Sequence, residues 1–530
     1  MAINSLKFIA FVAIVCALYF IFPKKIKWFV LLASSYVFYW LSSTKLTLFL
    51  IFTTISVYLA ALIMEKIDNN TKAICNTIED KKEKKKIKNK AKCRKKWILA
   101  LAVIINLAIL ATLKYSKFIA GNLNSLLGYF NVSFKIPLKK FILPLGISYY
   151  TLQAISYVVD VYRGKFEADK NLGRVALFLS FFPQIVEGPI GRYDALANQL
   201  YEPHKFSYKN LKFGIQLMMW GYFKKLVIAD RAAMLVNEVF GNYKGYVGIP
   251  IFVAIIFYTL QIYAEFSGCI DIVRGTAGIM GITMAENFKR PFFSKSVQEF
   301  WRRWHITLGT WLKDYVFYPI SFSNLTLNLT NISKKIFKKS YLSKLIPAAF
   351  ALFFVWFSNG IWHGANWKYI LYGLYYYVIM LLGMLLEPLG DKIVKWFKIN
   401  RKTFGYSLWQ ILRTSGFVLI GMLIFRAKRF KIAVEMFKSM FTIRNLEMIF
   451  NGKLYSIGLK PADFVVLVIG ILLMFVVSIY QEKGYKIREK IEKQNIVFRW
   501  VLYYGCLIAI IVLGIYGPGY NASDFIYGQF

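Results

Sequence analysis

Histidine is the side chain whose charge most readily changes near neutral pH, and this chain of 530 residues has three: His204, His305 and His363. His204 sits in Glu202-Pro203-His204-Lys205, which reads as a surface loop without chemistry. The other two stand among tryptophans. His363 lies in Ser358-Asn359-Gly360-Ile361-Trp362-His363-Gly364-Ala365-Asn366-Trp367, where polar and small residues separate two apolar stretches. A neutral imidazole can accept a proton, as a general base must, and small neighbours leave room for a substrate. The competing reading is a core histidine satisfied by a neighbouring helix, but ionisable groups within membrane segments favour function. His305 lies in Glu299-Phe300-Trp301-Arg302-Arg303-Trp304-His305-Ile306-Thr307-Leu308-Gly309-Thr310-Trp311-Leu312-Lys313-Asp314-Tyr315. At helical spacing Trp301, Trp304, His305, Leu308 and Trp311 form one stripe, with Arg302, Arg303 and Lys313 toward the other side. An interfacial helix with an aromatic belt and snorkelling arginines explains the Trp and Arg but not the His.

Four carboxylates fall in apolar context: Asp160, Glu187, Glu265 and Asp271. Pairing with Arg163 is the simplest account of Asp160, with Arg192 of Glu187 and with Arg274 of Asp271. Such structural pairing outweighs catalysis for each. Other chemistries lack their signatures. There is no GxxxxGK[ST] phosphate loop, GxSxG elbow, HExxH pair or dinucleotide GxGxxG. Three isolated histidines are a poor ligand set, so no metal is expected.

These residues must be held by a membrane scaffold. Hydrophobic residues make up 57% and aromatics 18%, against about 45–50% apolar in soluble domains. The expected fold class is an all-α polytopic membrane protein. About 11–13 spans fit the need for about 20 apolar residues each, near 5–22, 28–43, 46–64, 98–116, 141–160, 208–229, 247–268, 345–358, 364–386, 408–425, 463–480 and 498–516. The first has Lys7 as its sole basic residue and no small-residue cleavage site, so it reads as a retained helix rather than a signal peptide. The formal net charge is +41. Cytoplasmic loops that collect Lys and Arg explain it, and no nucleic-acid-binding pattern accompanies it. The most polar loop, 65–97, is expected in the cytoplasm, as is 481–493. This counting puts both termini outside the cell. One segment, Phe181 to Tyr193, carries two prolines and two glycines and cannot be a continuous helix. Broken backbone at membrane depth needs a protein-lined or water-filled setting. No strong internal repeat supports a transporter.

The chain resembles the membrane-bound O-acyltransferases, in the branch of the alginate O-acetylation proteins. The resemblance rests on an ordered set: Pro144-Leu145-Gly146-Ile147-Ser148, Val158-Val159-Asp160-Val161-Tyr162-Arg163-Gly164, Gly188-Pro189-Ile190, Phe266-Ser267-Gly268 with Asp271, Glu286-Asn287-Phe288, Arg290-Pro291-Phe292, Phe300 to His305 with Trp311 to Tyr315, Gly360 to Gly364, Phe425-Arg426-Ala427 and Tyr516-Gly517-Pro518-Gly519-Tyr520. Where many members of that branch read Gly-Gly-Asn after Tyr318-Pro319-Ile320, this chain reads Ser321-Phe322-Ser323-Asn324.

The resemblance implies a ring of helices around a central tunnel, as one integral membrane domain over 1–530. Its parts are N-terminal helices (1–116), a core (141–386) and C-terminal helices (408–530). It implies that His363 is the catalytic histidine and His305 the second functional one. Asn359, Trp362, Trp304, Trp301, Glu187, Pro189, Arg192 and Asp314 are then the candidates to line the tunnel or meet substrate. No tightly bound cofactor is implied. The acyl donor would be acetyl-coenzyme A or an acyl-carrier phosphopantetheine thioester, arriving at the cytoplasmic side of a bacterial cell membrane. Partners would be an extracellular SGNH-type acetyltransferase and polysaccharide machinery. The related D-alanyl transfer proteins of teichoic acid synthesis share the histidines and the Gly-Pro-Ile segment. A transporter or flippase without chemistry is the reading from another class.

Overall fold

The computed structural model describes residues 1–139, 141–338, 340–442 and 445–516. The Gly517 to Tyr520 motif and the end of the 408–530 segment, with the C-terminus, lie outside the described residues. Helix follows helix, and the one β pairing among the described residues is an isolated bridge between Phe288 and Trp304. Eight helical stretches among the described residues are long and apolar enough to cross a membrane. Two spans expected at 28–43 and 46–64 join through a short turn into the stretch Lys24–Thr77. Leu6–Ile21 is apolar but shorter. The chain is a multi-pass, all-α membrane protein.

Two of the expected spans take another form. The segment expected at 141–160 folds as Ile147–Tyr162, 16 residues buried on nearly every side, so protein rather than lipid surrounds it. The segment expected at 208–229 is the helix Tyr208–Tyr222 followed by a π-helix, Phe223–Ala229, that buries two lysines.

The chain forms two compact units. The first comprises Met1–Ile215 and Val273–Ala285. Its basic stretch 65–97 is not a loop but the tip of a helical hairpin, Thr47–Thr77 against Lys81–Tyr129. Lys, Glu and Ala are good helix formers. Asp80 caps the second arm by accepting from Lys82 N at 2.9 Å and Glu83 N at 3.3 Å, and Lys95 pairs with Asp68 across the arms. Asp160 meets Lys165 Nζ at 3.5 Å. The Phe181 to Tyr193 segment is broken as expected. The helix Leu172–Ser180 ends, one turn forms at Phe182–Ile185 with Pro183 in it, and helix resumes at Tyr193. Its Phe182 N–H donates to Ser35 Oγ at 3.1 Å.

The second unit comprises Gln216–Ile272 and the chain from Glu286 onward. Lys224 and Lys225 are 4% and 1% exposed. Lys224 Nζ lies 2.7 Å from Asp271 and donates to Ser267 Oγ at 2.8 Å. Lys225 Nζ lies 2.9 Å from both Glu265 and Asp230. Asp271 and Glu265 are thus structurally paired, with lysines that no local spacing announced. Elsewhere in this unit the helices Tyr341–His363 and Trp367–Trp396 form a tight hairpin. A Cβ at Gly373 would sit 2.3 Å from Trp356 O, and one at Gly360 would sit 2.6 Å from Tyr369 O. Only glycine permits that approach.

Removing one partner of a buried ion pair leaves an uncompensated charge, which costs about 3–5 kcal/mol. Lys225→Met therefore lowers the thermal unfolding midpoint of the detergent-purified protein well below that of a lipid-facing Lys→Met control. Equal midpoints would show that the buried network does not hold the unit together.

Candidate active site

His305 does not lie on a continuous helix. Helix Val297–Arg303 ends at Trp304, which is extended, and His305 adopts a left-handed conformation (φ 46°, ψ 52°) before helix Ile306–Leu312 begins. The stripe expected from Trp301 to Trp311 is therefore broken at its centre. The cause is a strap eighteen residues upstream. Asn287 O accepts from Ile306 N at 3.0 Å, and Lys289 N donates to Arg303 O at 2.9 Å. Asn287 Oδ1 accepts from Thr307 N at 3.0 Å and from Thr307 Oγ1 at 2.8 Å. These bonds compensate a backbone conformation that costs a non-glycine residue on the order of 1–3 kcal/mol. Arg303 and Arg290 share Glu482, and Arg303 also pairs with Glu299, so Arg303 does not snorkel. Arg302 and Lys313 are exposed.

The His305 ring is 3% exposed. Phe266 stands at 4.9 Å and Trp362 at 5.6 Å from its centre, both edge to face. Its Nδ1 lies 3.4 Å from Asn287 Oδ1. Its Nε2 is buried and makes no hydrogen bond among the described residues. Outside the membrane-spanning helices, burial pushes the imidazole from its ordinary 6.5 down to about 3.

His363 is the last residue of the helix Tyr341–His363 and is 4% exposed. Its ring centre lies 5.1 Å from Trp362, 5.2 Å from Phe425 and 5.8 Å from Tyr372. Trp362 thus touches both histidines, and the two imidazoles occupy one aromatic chamber of the second unit. The return of the chain is fixed by Asn366, which caps the next helix by accepting from Lys368 N at 3.0 Å.

The other expected residues divide. Trp301 packs edge-on against Trp356 at 5.1 Å and Tyr376 at 4.8 Å. Trp304 is buried against Phe288 and Phe300. Asn359 lies one turn before His363, and its buried Oδ1 makes no hydrogen bond among the described residues. Asp314 is half-buried on a π-helical turn, Lys313–Phe317, that follows Trp311. Glu187 and Pro189 are buried and Arg192 half-buried in the broken segment of the first unit. Asn287, Phe266, Tyr372 and Phe425 join the two imidazoles from outside the expected set. The signal for Asn287 was a polar amide between Glu286 and Phe288, but nothing in local periodicity ties it to His305.

The geometry is that of a helical membrane protein with two buried imidazoles in contact with one tryptophan, Trp362. Residues 168–328 match the model of the MBOAT, membrane-bound O-acyltransferase family, a region that contains His305. A "Probable alginate O-acetylase AlgI" of Pseudomonas putida is 32% identical over 382 residues, covering 71% of each chain. A peptidoglycan O-acetyltransferase of Helicobacter pylori is 27% identical over 383 residues, 66% of each chain. A teichoic acid D-alanyltransferase of Bacillus subtilis is 31% identical over 297 residues, 54% of this chain and 69% of that one. The chain thus spans about two thirds of the length of the relatives it matches. It belongs to the membrane-bound O-acyltransferase family, whose members are O-acyltransferases of multi-pass membrane architecture.

Two outcomes follow from this geometry. Gly373→Ala forces the two helices that frame His363 apart, and if His363 is the catalytic histidine that the resemblance implies, acyl transfer falls at least about tenfold, as expected for a displacement of about 1 Å; unchanged transfer at equal abundance would show that the hairpin's closeness does not set the site. The second concerns pH. An unfolded chain takes up a proton on this histidine near 6.5, the native chain only near 3. The stability due to its neutral burial is therefore full above about pH 6.5 and falls as the pH drops toward 3. A His305→Gln protein should lose less stability than the wild type between about pH 6.5 and 4, read by thermal unfolding in detergent; parallel losses would show that His305 does not couple folding to pH.

Proposed function

We propose that this protein moves an acetyl group from a cytoplasmic thioester across the membrane for O-acetylation of an extracellular polysaccharide, directly or through an SGNH-type partner. The observation that carries the reading is the pair of buried imidazoles around Trp362, joined to the kinship with proteins named as O-acetylases. His363 takes the proton of the attacking hydroxyl as its oxygen bonds to the thioester carbonyl carbon. The tetrahedral intermediate collapses, the carbon–sulfur bond breaks, and the departing thiolate recovers the proton from His363. Proton and acyl group thus balance with no cofactor beyond the donor. The donor is acetyl-coenzyme A or a carrier-bound phosphopantetheine thioester. The Lys-rich hairpin tip at 65–97 faces the cytoplasm in this reading and attracts that anionic donor. In this reading the N-terminus lies outside the cell.

A second reading, D-alanyl transfer to teichoic acid, is favoured by the Bacillus subtilis relative. The chemistry at His363 would be unchanged and only donor and acceptor would differ.

General acid–base catalysis contributes about 10²–10⁴-fold. His363→Ala should therefore cut ester formation by about that factor at wild-type abundance in the membrane. The measurement releases base-labile esters from surface polymers of wild-type, deletion and His363→Ala cells and identifies them by mass spectrometry. Loss of acetate in both mutants supports the leading reading. Loss of D-alanine moves the protein to the second. Wild-type ester levels in His363→Ala would sink the base mechanism and return the transporter reading.

A further inference from the structure

The hydrogen bonds of one amide decide what His305 can offer a substrate. A backbone N–H can only donate. Thr307 N therefore requires that the atom of Asn287 facing it be the carbonyl oxygen, not the amide nitrogen. With the amide so oriented, Thr307 Oγ1 donates to the same oxygen. That oxygen also faces His305 Nδ1. A carbonyl oxygen only accepts, so the 3.4 Å contact is attractive only when Nδ1 carries the hydrogen. In a neutral imidazole the other nitrogen then bears the lone pair. Nε2 is that nitrogen, and it is buried without a hydrogen-bond partner among the described residues.

We propose that Asn287 is a positioning residue that locks His305 in the Nδ1–H tautomer, so that Nε2 presents a neutral lone pair to a hydroxyl of the acceptor substrate. This rests on the acyl-transfer reading for the identity of the hydroxyl, but the tautomer itself does not. A lone pair accepts from a hydroxyl and repels an oxyanion. His305 thus orients the nucleophile and does not stabilise the tetrahedral intermediate, and the proton leaves by His363.

The scarcity of histidine makes the test direct. Full-length protein is produced without a polyhistidine tag, labelled with ¹⁵N-histidine and reconstituted into lipid. Solid-state NMR then distinguishes protonated from bare ring nitrogens at three sites, and His305→Gln assigns one set. The expected result is a protonated Nδ1 and a bare Nε2 at His305 in the wild type. A protonated Nε2 would overturn the proposal whatever the enzyme's activity. Two variants probe the positioning. Asn287→Leu should lose the single tautomer and about 10–100-fold in transfer, with Asn287→Asp, which keeps the accepting oxygen, recovering most of both. In a His305→Ala background Asn287→Leu should cost little more, because the two act as one unit. Losses that multiply would show that Asn287 only braces the turn. If the tautomer is as expected but no ester forms in wild-type membranes, the acyl-transfer reading fails and the positioning stands.

Discussion

Two ammonium groups nearly sealed from water set the frame of the second unit. Lys224 and Lys225 stand side by side on a π-helix, and apart from Asp230 the partners named for them lie on one helix, Ile249–Ile279, at Glu265, Ser267 and Asp271. Charges in an apolar surrounding cannot be left unpaired, because the desolvation cost is several kcal/mol per ion. The π-helical turn, wider than an α-turn, puts both lysines on the buried side in sequence. The consequence reaches the site through a single residue. Glu265 and Ser267, one on either side of Phe266, are each held by a lysine, and Phe266 is the ring that stands edge-on to His305. The wall behind that histidine is placed by ion pairs on the other side of its helix.

The two histidines are supported by different physics. His305 sits on a turn that would not form alone, and directional hydrogen bonds from one asparagine define both its backbone and its ring. His363 sits at the end of a long helix whose place is set by close packing, with Gly360 and Gly373 removing the side chains that would keep two helices apart. Hydrogen bonds fix a tautomer and a direction, which suits a group that orients a substrate. Packing fixes position, which suits the proton-carrying role proposed for His363.

Much of this was legible in the residues. The broken segment at Phe181 to Tyr193 announced itself by its prolines and glycines, and His363 by its small and polar neighbours in an apolar run. What stayed hidden was non-local. The stripe from Trp301 to Trp311 satisfies helical periodicity, yet the helix breaks at His305 because Asn287, eighteen residues away, offers Thr307 N a better acceptor. Lys224 and Lys225 look like the end of a span, and only their distant partners make their burial possible. The basic stretch 65–97 reads as a loop by polarity, but Lys, Glu and Ala carry helix propensity whatever their charge, and Asp80 supplies the cap. Pattern reports which face is apolar; it does not report which polar group elsewhere in the chain will claim a backbone N–H.

The aromatic chamber meets two demands that pull against each other. In the proposed reaction the acyl group must meet the acceptor hydroxyl rather than water, and Trp362, Tyr372 and Phe425 pack around His363. The same exclusion penalises the imidazolium that a general base becomes for an instant in the proposed reaction. Aliphatic walls would impose that penalty in full. Phe425 and Tyr372 stand perpendicular to the imidazole, with ring centres 5.2 and 5.8 Å away. At His305, where the reaction asks for no charge, the partner that defines the ring is a neutral amide rather than a carboxylate. Both histidines have aromatic neighbours, and what sets His305 apart in the proposed reaction is the amide of Asn287 beside its ring.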